Sequence, residues 1–325
     1  MDRHYATMEN ELLEFSQSLI PSIEDVEEGR RYATNLFELL KRNSQFRIDR
    51  VGIFGSVRKQ TSIKIDFDFD CVLFINDELP PFNSIIDDFE GILLWKNYNI
   101  ISKYRNTIQV RINNIKFDVA PAINFSQDPD EQRELVMEEI SSLPNPSTDG
   151  YRYSSSLCET QANFINNQSQ FVHNFIRLAK FWNKTLFISG YIRGQSYLIE
   201  VIALYVATKQ ENRYHNVSIL KTFQRFLKMM INLDNMRIIF TECKRPLVLD
   251  PTNPFNNLAH FFVTNKAKKE SFKAFAATTL YRLQNYTFDL NAIFEPQPTI
   301  APAEDIGSLL PSSKYIQIFF INFQL

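Results

Sequence analysis

The stretch Asp66-Phe67-Asp68-Phe69-Asp70-Cys71-Val72-Leu73-Phe74 alternates carboxylates with apolar side chains. A strand points successive side chains to opposite faces, so Asp66, Asp68 and Asp70 share one face while Phe67, Phe69, Cys71 and Leu73 share the other. Neighbouring carboxylates repel one another and Asp is depleted in strands, which makes the pattern costly unless a cation sits among them. Hard oxygen donors at this spacing suit Mg²⁺, which keeps part of its water and is commonly shared with substrate phosphates. A solvated edge strand that uses charge to block aggregation has the same composition. Gly55-Ser56 weighs toward the cation, because it lies just upstream, between an apolar strand and the Asp strand, in a chain with only 8 Gly. A Gly-Ser turn offers backbone N–H groups and a hydroxyl to a phosphate.

The 325 residues suffice for one large or two ordinary domains with their own cores, and 44% hydrophobic residues, 29 Phe among them, describe a well-packed globular chain. No run of about 18 uncharged apolar residues occurs, so no membrane partner is expected. Met1 to Glu14 is charged and lacks the apolar centre of a signal peptide, and the C-terminal Asn-Phe-Gln-Leu has no prenylatable Cys. Cys71, Cys158 and Cys243 are scattered, as are His4, His173, His215 and His260. No zinc site is expected, and the compartment reads as reducing and cytoplasmic. A net charge of −2 excludes a generally basic coat, yet Arg30, Arg31, Lys41, Arg42, Arg47, Arg50, Arg58, Lys59 and Lys64 are opposed only by Glu38 and Asp49 between residues 30 and 64. This stripe is either a nucleic-acid surface or a solvated helix face with charged strand ends.

Along the chain, residues 8 to 20 read as a helix, and Ser22 with Asp25 caps a second one that runs to about Asn43. Phe46 to Phe54 reads as a strand, and Pro81 to Lys96 has helical spacing. Thr107 to Ile112 and Ile115 to Ala120 form a hairpin about Asn113-Asn114, a pair that tolerates positive φ. Asp118 lies in its second strand between Phe117 and Val119. It either hydrogen-bonds to a neighbouring loop or, if that strand pairs beside the first, joins Asp68 and Asp70 as a third carboxylate. A polar stretch from Ser126 to Pro146 precedes a helical pattern, which places a boundary near Ser155 and two domains at 1–155 and 156–325. Phe171, Phe175, Leu178 and Trp182 are core by spacing, while His173, Arg177, Lys180 and Lys184 share another face, solvated or turned to phosphates. Ser189 to Gln195 reads as a loop, after which Ser196 caps an apolar helix that starts with Tyr197. Later segments read as short strands at Ile238–Phe240 and Leu247–Leu249, a helix from Asn257 to Arg282, a loose loop from Pro296 to Pro311 and a final strand at Tyr315–Phe323.

Six ordered motifs carry a resemblance: Phe54-Gly55-Ser56-Val57-Arg58-Lys59-Gln60-Thr61, Asp68-Phe69-Asp70-Cys71-Val72, Phe117-Asp118-Val119-Ala120-Pro121-Ala122, Glu159-Thr160-Gln161-Ala162-Asn163-Phe164, Ile176-Arg177-Leu178-Ala179-Lys180-Phe181-Trp182 and Leu249-Asp250-Pro251-Thr252-Asn253-Pro254. Together they resemble the 2′-5′-oligoadenylate synthetases and the related cyclic GMP-AMP synthase-like receptors. The resemblance implies an α+β, two-lobed nucleotidyltransferase (polymerase β-like) fold, with a mixed central sheet lobe, a helical second lobe and a cleft between them. By position, Asp68, Asp70 and Asp118 resemble the family's metal-binding triad, and Gly55 and Ser56 its donor-triphosphate turn. Lys180 resembles its phosphate-contacting lysine, and Ser196-Tyr197 its nucleotide-contacting pair. Ser196 is closer to the cyclic-dinucleotide branch, whereas Asp250 to Asn257 is closer to the oligoadenylate synthetases. Lys59 resembles a lysine at the double-stranded RNA surface, which here would run along Arg30, Arg31, Lys41, Arg42, Arg58 and Lys59. Asp66 falls outside the triad, and the zinc insertion of the DNA-sensing enzyme is absent. The implied activity uses two Mg²⁺, or Mn²⁺, and ATP or other nucleoside triphosphates, with double-stranded RNA as activator and 2′-5′-linked oligoadenylates as product. Alternatives are a cyclic dinucleotide synthase, a catalytically inactive RNA-binding scaffold and a template-independent tailing polymerase.

Overall fold

The computed structural model describes residues 3–65, 67–76, 82–104, 106–185, 196–213, 217–236, 238, 248–285 and 289–294. Asp66, the Ser189–Gln195 loop, Pro296–Pro311 and the Tyr315–Phe323 segment lie outside these residues. The chain opens with α1 (Arg3–Ser18) and α2 (Ile23–Asn43), then β1 (Ile48–Ile53), the single turn α3 (Gly55–Arg58) and β2 (Asp68–Ile75). Next come α4 (Phe82–Trp95), β3 (Asn99–Lys103), β4 (Ile108–Ile112) and β5 (Ile115–Ile123). α5 (Pro129–Ser142), α6 (Pro146–Asp149) and a 3₁₀ stretch at Gly150–Leu157 lead to α7 (Cys158–Asn166) and α8 (Gln170–Thr185). The remainder is α9 (Ser196–Glu211), α10 (Ile219–Ile231), β6 (Leu249–Asp250), β7 (Asn253–Asn257), α11 (His260–Thr264), α12 (Lys266–Asn285) and α13 (Leu290–Phe294).

Local chemistry accounts for the element ends. Ser22 accepts from the Asp25 amide at 3.0 Å, so the expected cap opens α2. Asp128 caps α5 by accepting from the Asp130 and Glu131 amides. Asn113 turns the β4–β5 hairpin with φ +53°, as its tolerance of positive φ predicts.

The strands form one five-stranded sheet in the order β1-β2-β5-β4-β3, with β2 and β5 parallel and the other pairs antiparallel. This mixed sheet with helices is the α+β architecture expected. β3 was not anticipated; it is the edge strand beside β4. One sheet face packs Phe69, Cys71, Leu73, Ile75, Phe117 and Val119 under α2 and α4. Phe69 and Phe117 are fully buried, stack at 5.4 Å between ring centres, and are cross-strand partners. Burying each ring contributes about 1.5–3 kcal/mol, which is lost if β2 slips by one residue, so this pair fixes the β2–β5 register. On the opposite face Val72, Phe74 and Ala122 pack with Phe54 and with Cys158 and Ala162 of α7. Arg50 lies there over the Phe74 ring at 3.6 Å, ion-paired to Glu159 and bonded to Asn124.

The chain forms two compact units, and the division is not a single point. The sheet unit takes Leu19–His173 and Leu249–Asn257; the helical unit takes the described residues of Met1–Ser18, Asn174–Val248 and Leu258–Leu325. The expected division at 155/156 differs from this at both ends of the chain. Residues 156–173 stay with the sheet unit because α7 covers its second face, and α1 goes with the helical unit because Glu9 caps α10. The Glu9 carboxylate accepts from the Ser218 hydroxyl and from the Ile219 and Leu220 amides.

In the helical unit Trp182 is fully buried, donates from Nε1 to Thr279 at 3.0 Å, and touches Phe226, Phe272 and Phe275. Among the described residues no helix is long and apolar enough to cross a membrane.

The late segment Leu249–Asn257 is held to the sheet unit by Asp250, which is 2% exposed. Its carboxylate accepts from the Thr252 amide and hydroxyl at 2.9 and 2.8 Å, from Gln161 at 3.1 Å and from Asn256 at 3.3 Å. Two of the six motifs are thereby explained as one structural joint, since Gln161 belongs to the α7 motif and Asp250 to the last. Asp250→Ala strands several buried donors and is expected to destabilise the protein by roughly 2–4 kcal/mol. Chemical denaturation checks this; a loss under about 0.5 kcal/mol, the range of ordinary surface substitutions, would contradict it.

Candidate functional site

Gly55 opens α3 with φ +54°, a conformation that L side chains rarely adopt. A Cβ at this position would stand 1.5 Å from Asp70 Oδ2 and 2.3 Å from its Cγ. The glycine is therefore required twice, by its backbone and by the carboxylate packed on it. The Phe54 amide donates to the Asp70 carbonyl at 2.8 Å, which ties this turn to β2. The Ser56 hydroxyl lies 2.9 Å from that of Ser62, and the Thr61 amide donates to the Ser56 carbonyl at 2.9 Å.

Parallel pairing sets Asp70 directly beside Asp118, and Asp68 beside Lys116. Partners in a ladder share a face, so Asp68, Asp70 and Asp118 lie on the same side of the sheet, opposite the stacked Phe69 and Phe117. This is the second of the two placements open for Asp118 from the sequence. Its Oδ1 also accepts from Gln109 Nε2 at 2.8 Å, across from it on β4. Burial raises the Asp118 pKa; the Gln109 hydrogen bond opposes the rise, the charge of Asp68 adds to it and that of Lys116 opposes it. Among the described residues no three His, Cys, Asp or Glu side chains are gathered closely enough to hold a metal ion. Asp70 rests against Gly55 on one side and Asp118 is held from the β4 side by Gln109. The donor set, hard oxygens from two adjacent strands, suits Mg²⁺ or Mn²⁺ in kind. Cys71 and Cys158 are buried, and burial first, then nearby carboxylates, push both thiols well above their ordinary values. The thiolate, the nucleophilic form, is thereby disfavoured at both.

The expected nucleotide contacts Lys180, Ser196 and Tyr197 lie in the helical unit. Lys180 is 6% exposed and faces Glu200 at 3.8 Å. His173 and Arg177 are buried as well, so this helix face is not solvated. His173 bonds to the Ile165 carbonyl at 2.9 Å, and burial lowers the Arg177 pKa. Ser196 is exposed and Tyr197 half-buried at the start of α9.

The expected RNA surface is only partly on the surface. Arg30, Arg31, Lys41, Arg42 and Arg58 are exposed, but Lys59 is 6% exposed. As the residue that ends α3, with its amide on the Gly55 carbonyl and Gln60 following at φ +56°, Lys59 turns inward. It is removed from the set available to a macromolecule. Arg50 is removed too by its pairing with Glu159. Arg42 pairs with Glu38, and Lys41 donates to the Asp49 carbonyl at 2.8 Å. A cavity of about 380 Å³ opens among Arg30, Thr34, Phe37, Val51, Ile53 and Arg58. Val51 and Ile53 pair with Leu73 and Cys71, so it lies on the sheet face away from the aspartates and is no part of the carboxylate site.

Gln109 and Glu200 were missed from the sequence. Gln109 was within reach: counting outward from a two-residue turn, Ile112 meets Ile115 and Gln109 meets Asp118. Glu200, four residues into an apolar helix, carried no such signal.

Residues 132–243 match the family described as 2′-5′-oligoadenylate synthetase 1, domain 2, C-terminus. The 2′-5′-oligoadenylate synthase 1A of Mus musculus is 25% identical over 263 residues, which is 66% of this chain and 70% of that protein. Among solved structures, CdnC of E. coli MS115-1 with ATP superposes with a TM-score of 0.59 at 16% identity, covering 87% of this chain and 94% of that one. Cid1 in complex with its short product ApU gives 0.59 at 12% identity, covering 90% and 99%. The CD-NTase CdnG of Bradyrhizobium diazoefficiens with GTP gives 0.58 at 10% identity, covering 84% and 90%. At such identities the structures establish the fold and nothing finer. The chain thus has the nucleotidyltransferase fold, and the resemblance of its motifs to the 2′-5′-oligoadenylate synthetases is borne out.

Proposed function

We propose that this chain is a cytoplasmic, Mg²⁺-dependent nucleotidyltransferase that joins adenylates from ATP through 2′-5′ bonds when double-stranded RNA is bound. The observation that carries the reading is Asp118 in register beside Asp70, on the face that also bears Asp68, with Gly55 packed on Asp70. The family match over residues 132–243 supports oligoadenylate as product. Asp68, Asp70 and Asp118, which share a face but are not gathered closely enough as they stand, would draw together around two Mg²⁺, or Mn²⁺. Bound there, the metal neutralises triphosphate charge and makes an acceptor ribose hydroxyl easier to deprotonate.

The chain's own groups supply position and charge, which is most of what phosphoryl transfer asks of a protein. Backbone N–H groups at Gly55 and the Ser56 hydroxyl hold the triphosphate, and Ser62 fixes the direction of that hydroxyl. Lys180 is a phosphate-binding cation whose ammonium is oriented by Glu200. Ser196 and Tyr197 receive the nucleoside, the first by its hydroxyl and the second by stacking.

A cyclic dinucleotide is the second reading, favoured by Ser196. Incubation with ATP, GTP, CTP and UTP, Mg²⁺ and double-stranded RNA, followed by chromatography, separates the cases. A ladder of linear oligoadenylates is expected. A single cyclic species replaces this reading with the second, lengthened RNA marks a tailing polymerase, and no product marks a scaffold.

The exposed arginines bear on the activator. Arg30 and Arg58 come from different elements, and among the described residues neither has an ion-pair partner. If they meet RNA phosphates, Arg30→Glu with Arg58→Glu weakens RNA binding and makes the plot of log affinity against log salt shallower by about 2. Unchanged affinity and slope would place the RNA elsewhere.

A further inference from the structure

We propose that Gln109 is a positioning residue for Asp118, holding one carboxylate oxygen so that the other is presented to the metal; this rests on the reading of Asp68, Asp70 and Asp118 as ligands. Gln109 stands directly across from Asp118 in the β4–β5 ladder, and its Nε2 donates to Asp118 Oδ1 at 2.8 Å. The two strands cannot slide, because Val110 and its partner Phe117 are fully buried on the other face and a one-residue slip would turn them out. The amide is therefore delivered to one place.

The chemistry of the group suits the task. A carboxylate in this half-buried position needs a donor, and a primary amide provides one without bringing a positive charge that would compete with a cation. Lys116 is the nearest alternative on that face, but its ladder partners are Asp68 on β2 and Arg111 on β4, so it does not face Asp118 across either strand. With Oδ1 engaged by Gln109, Oδ2 remains for the metal. Hydrogen-bond partners of metal ligands typically contribute 10–100-fold to metal affinity.

The test is Mn²⁺ binding by the full chain in the presence of a non-hydrolysable ATP analogue, read from the electron paramagnetic resonance signal of free Mn²⁺. Gln109→Met keeps the length and removes the donor; it is expected to weaken Mn²⁺ roughly 10-fold. Gln109→His, which restores an N–H, is expected to recover part of that loss. In steady-state assays the Met variant is expected to lose kcat with KM for ATP little changed. Thermal melts accompany each variant, and Gln109→Ala, which adds no apolar bulk, must move Mn²⁺ affinity the same way if the Met variant unfolds early. Asp118→Asn is the reference. If Asp118→Asn weakens Mn²⁺ and both the Met and Ala variants bind it like the parent, the role of Gln109 is overturned. If Asp118→Asn itself binds like the parent, the ligand reading falls and the proposal with it.

Discussion

Asp70→Asn is expected to abolish nucleotidyl transfer, by on the order of 10³-fold or more, while the protein still folds and still binds RNA. The magnitude follows from its place: its carboxylate packs on Gly55, and Asp118 lies beside it in the ladder. Asn has the same shape and fills the same space, so the change isolates charge and metal affinity from packing. Product chromatography reads the activity, and a melting curve with an RNA-binding isotherm reads the rest. Activity within tenfold of the parent would remove Asp70 from the chemistry and with it the proposed site. Loss of RNA binding in parallel would mean the substitution had disturbed more than charge.

Gly55→Ala is expected to cost about 10²-fold in transfer, because displacing reacting groups by about 1 Å has consequences on that scale. The added Cβ would fall 1.5 Å from Asp70 Oδ2, so either the carboxylate or the turn has to move. Its φ of +54° adds about 1–2 kcal/mol of backbone strain, equivalent to a drop of roughly 2–8 °C in melting temperature for a unit of this size. Both changes act on one carboxylate, so Gly55→Ala placed on Asp70→Asn should cost little further activity while keeping its full effect on melting. A double variant whose activity losses simply multiply would show that Gly55 acts through something other than Asp70.

The carboxylates were legible in the sequence because a period of two is a strong pattern, and Gly55-Ser56 stood out in a glycine-poor chain. The hairpin at Asn113-Asn114 was legible for the same reason, since few residues tolerate its φ. What the linear pattern does not contain is pairing. Whether β5 lies beside β2 is decided by packing such as the Phe69–Phe117 stack, and only that packing brings Asp118 next to Asp70. Charge was read least well. Lys59 and Arg50 looked like surface cations and are turned inward or paired, while Lys180 has a buried acidic neighbour in Glu200, which sequence spacing gave no reason to seek. β3 was missed because the order Asn-Ile-Ile-Ser-Lys does not alternate polar with apolar residues, although its burial does.

The path of the chain between the two units has a consequence for its synthesis. The sheet unit receives its last piece, Leu249–Asn257, only after the intervening residues 174–248. At the usual pace of about 5–20 residues per second, translating those roughly 75 residues takes roughly 4–15 s. During that interval Gln161 has been made but its acceptor Asp250 has not. On the ribosome the aspartate-bearing sheet and α7, which packs on it through Cys158 and Ala162, are therefore made before the joint that ties the late segment to α7, and the Gln161 amide waits for its acceptor.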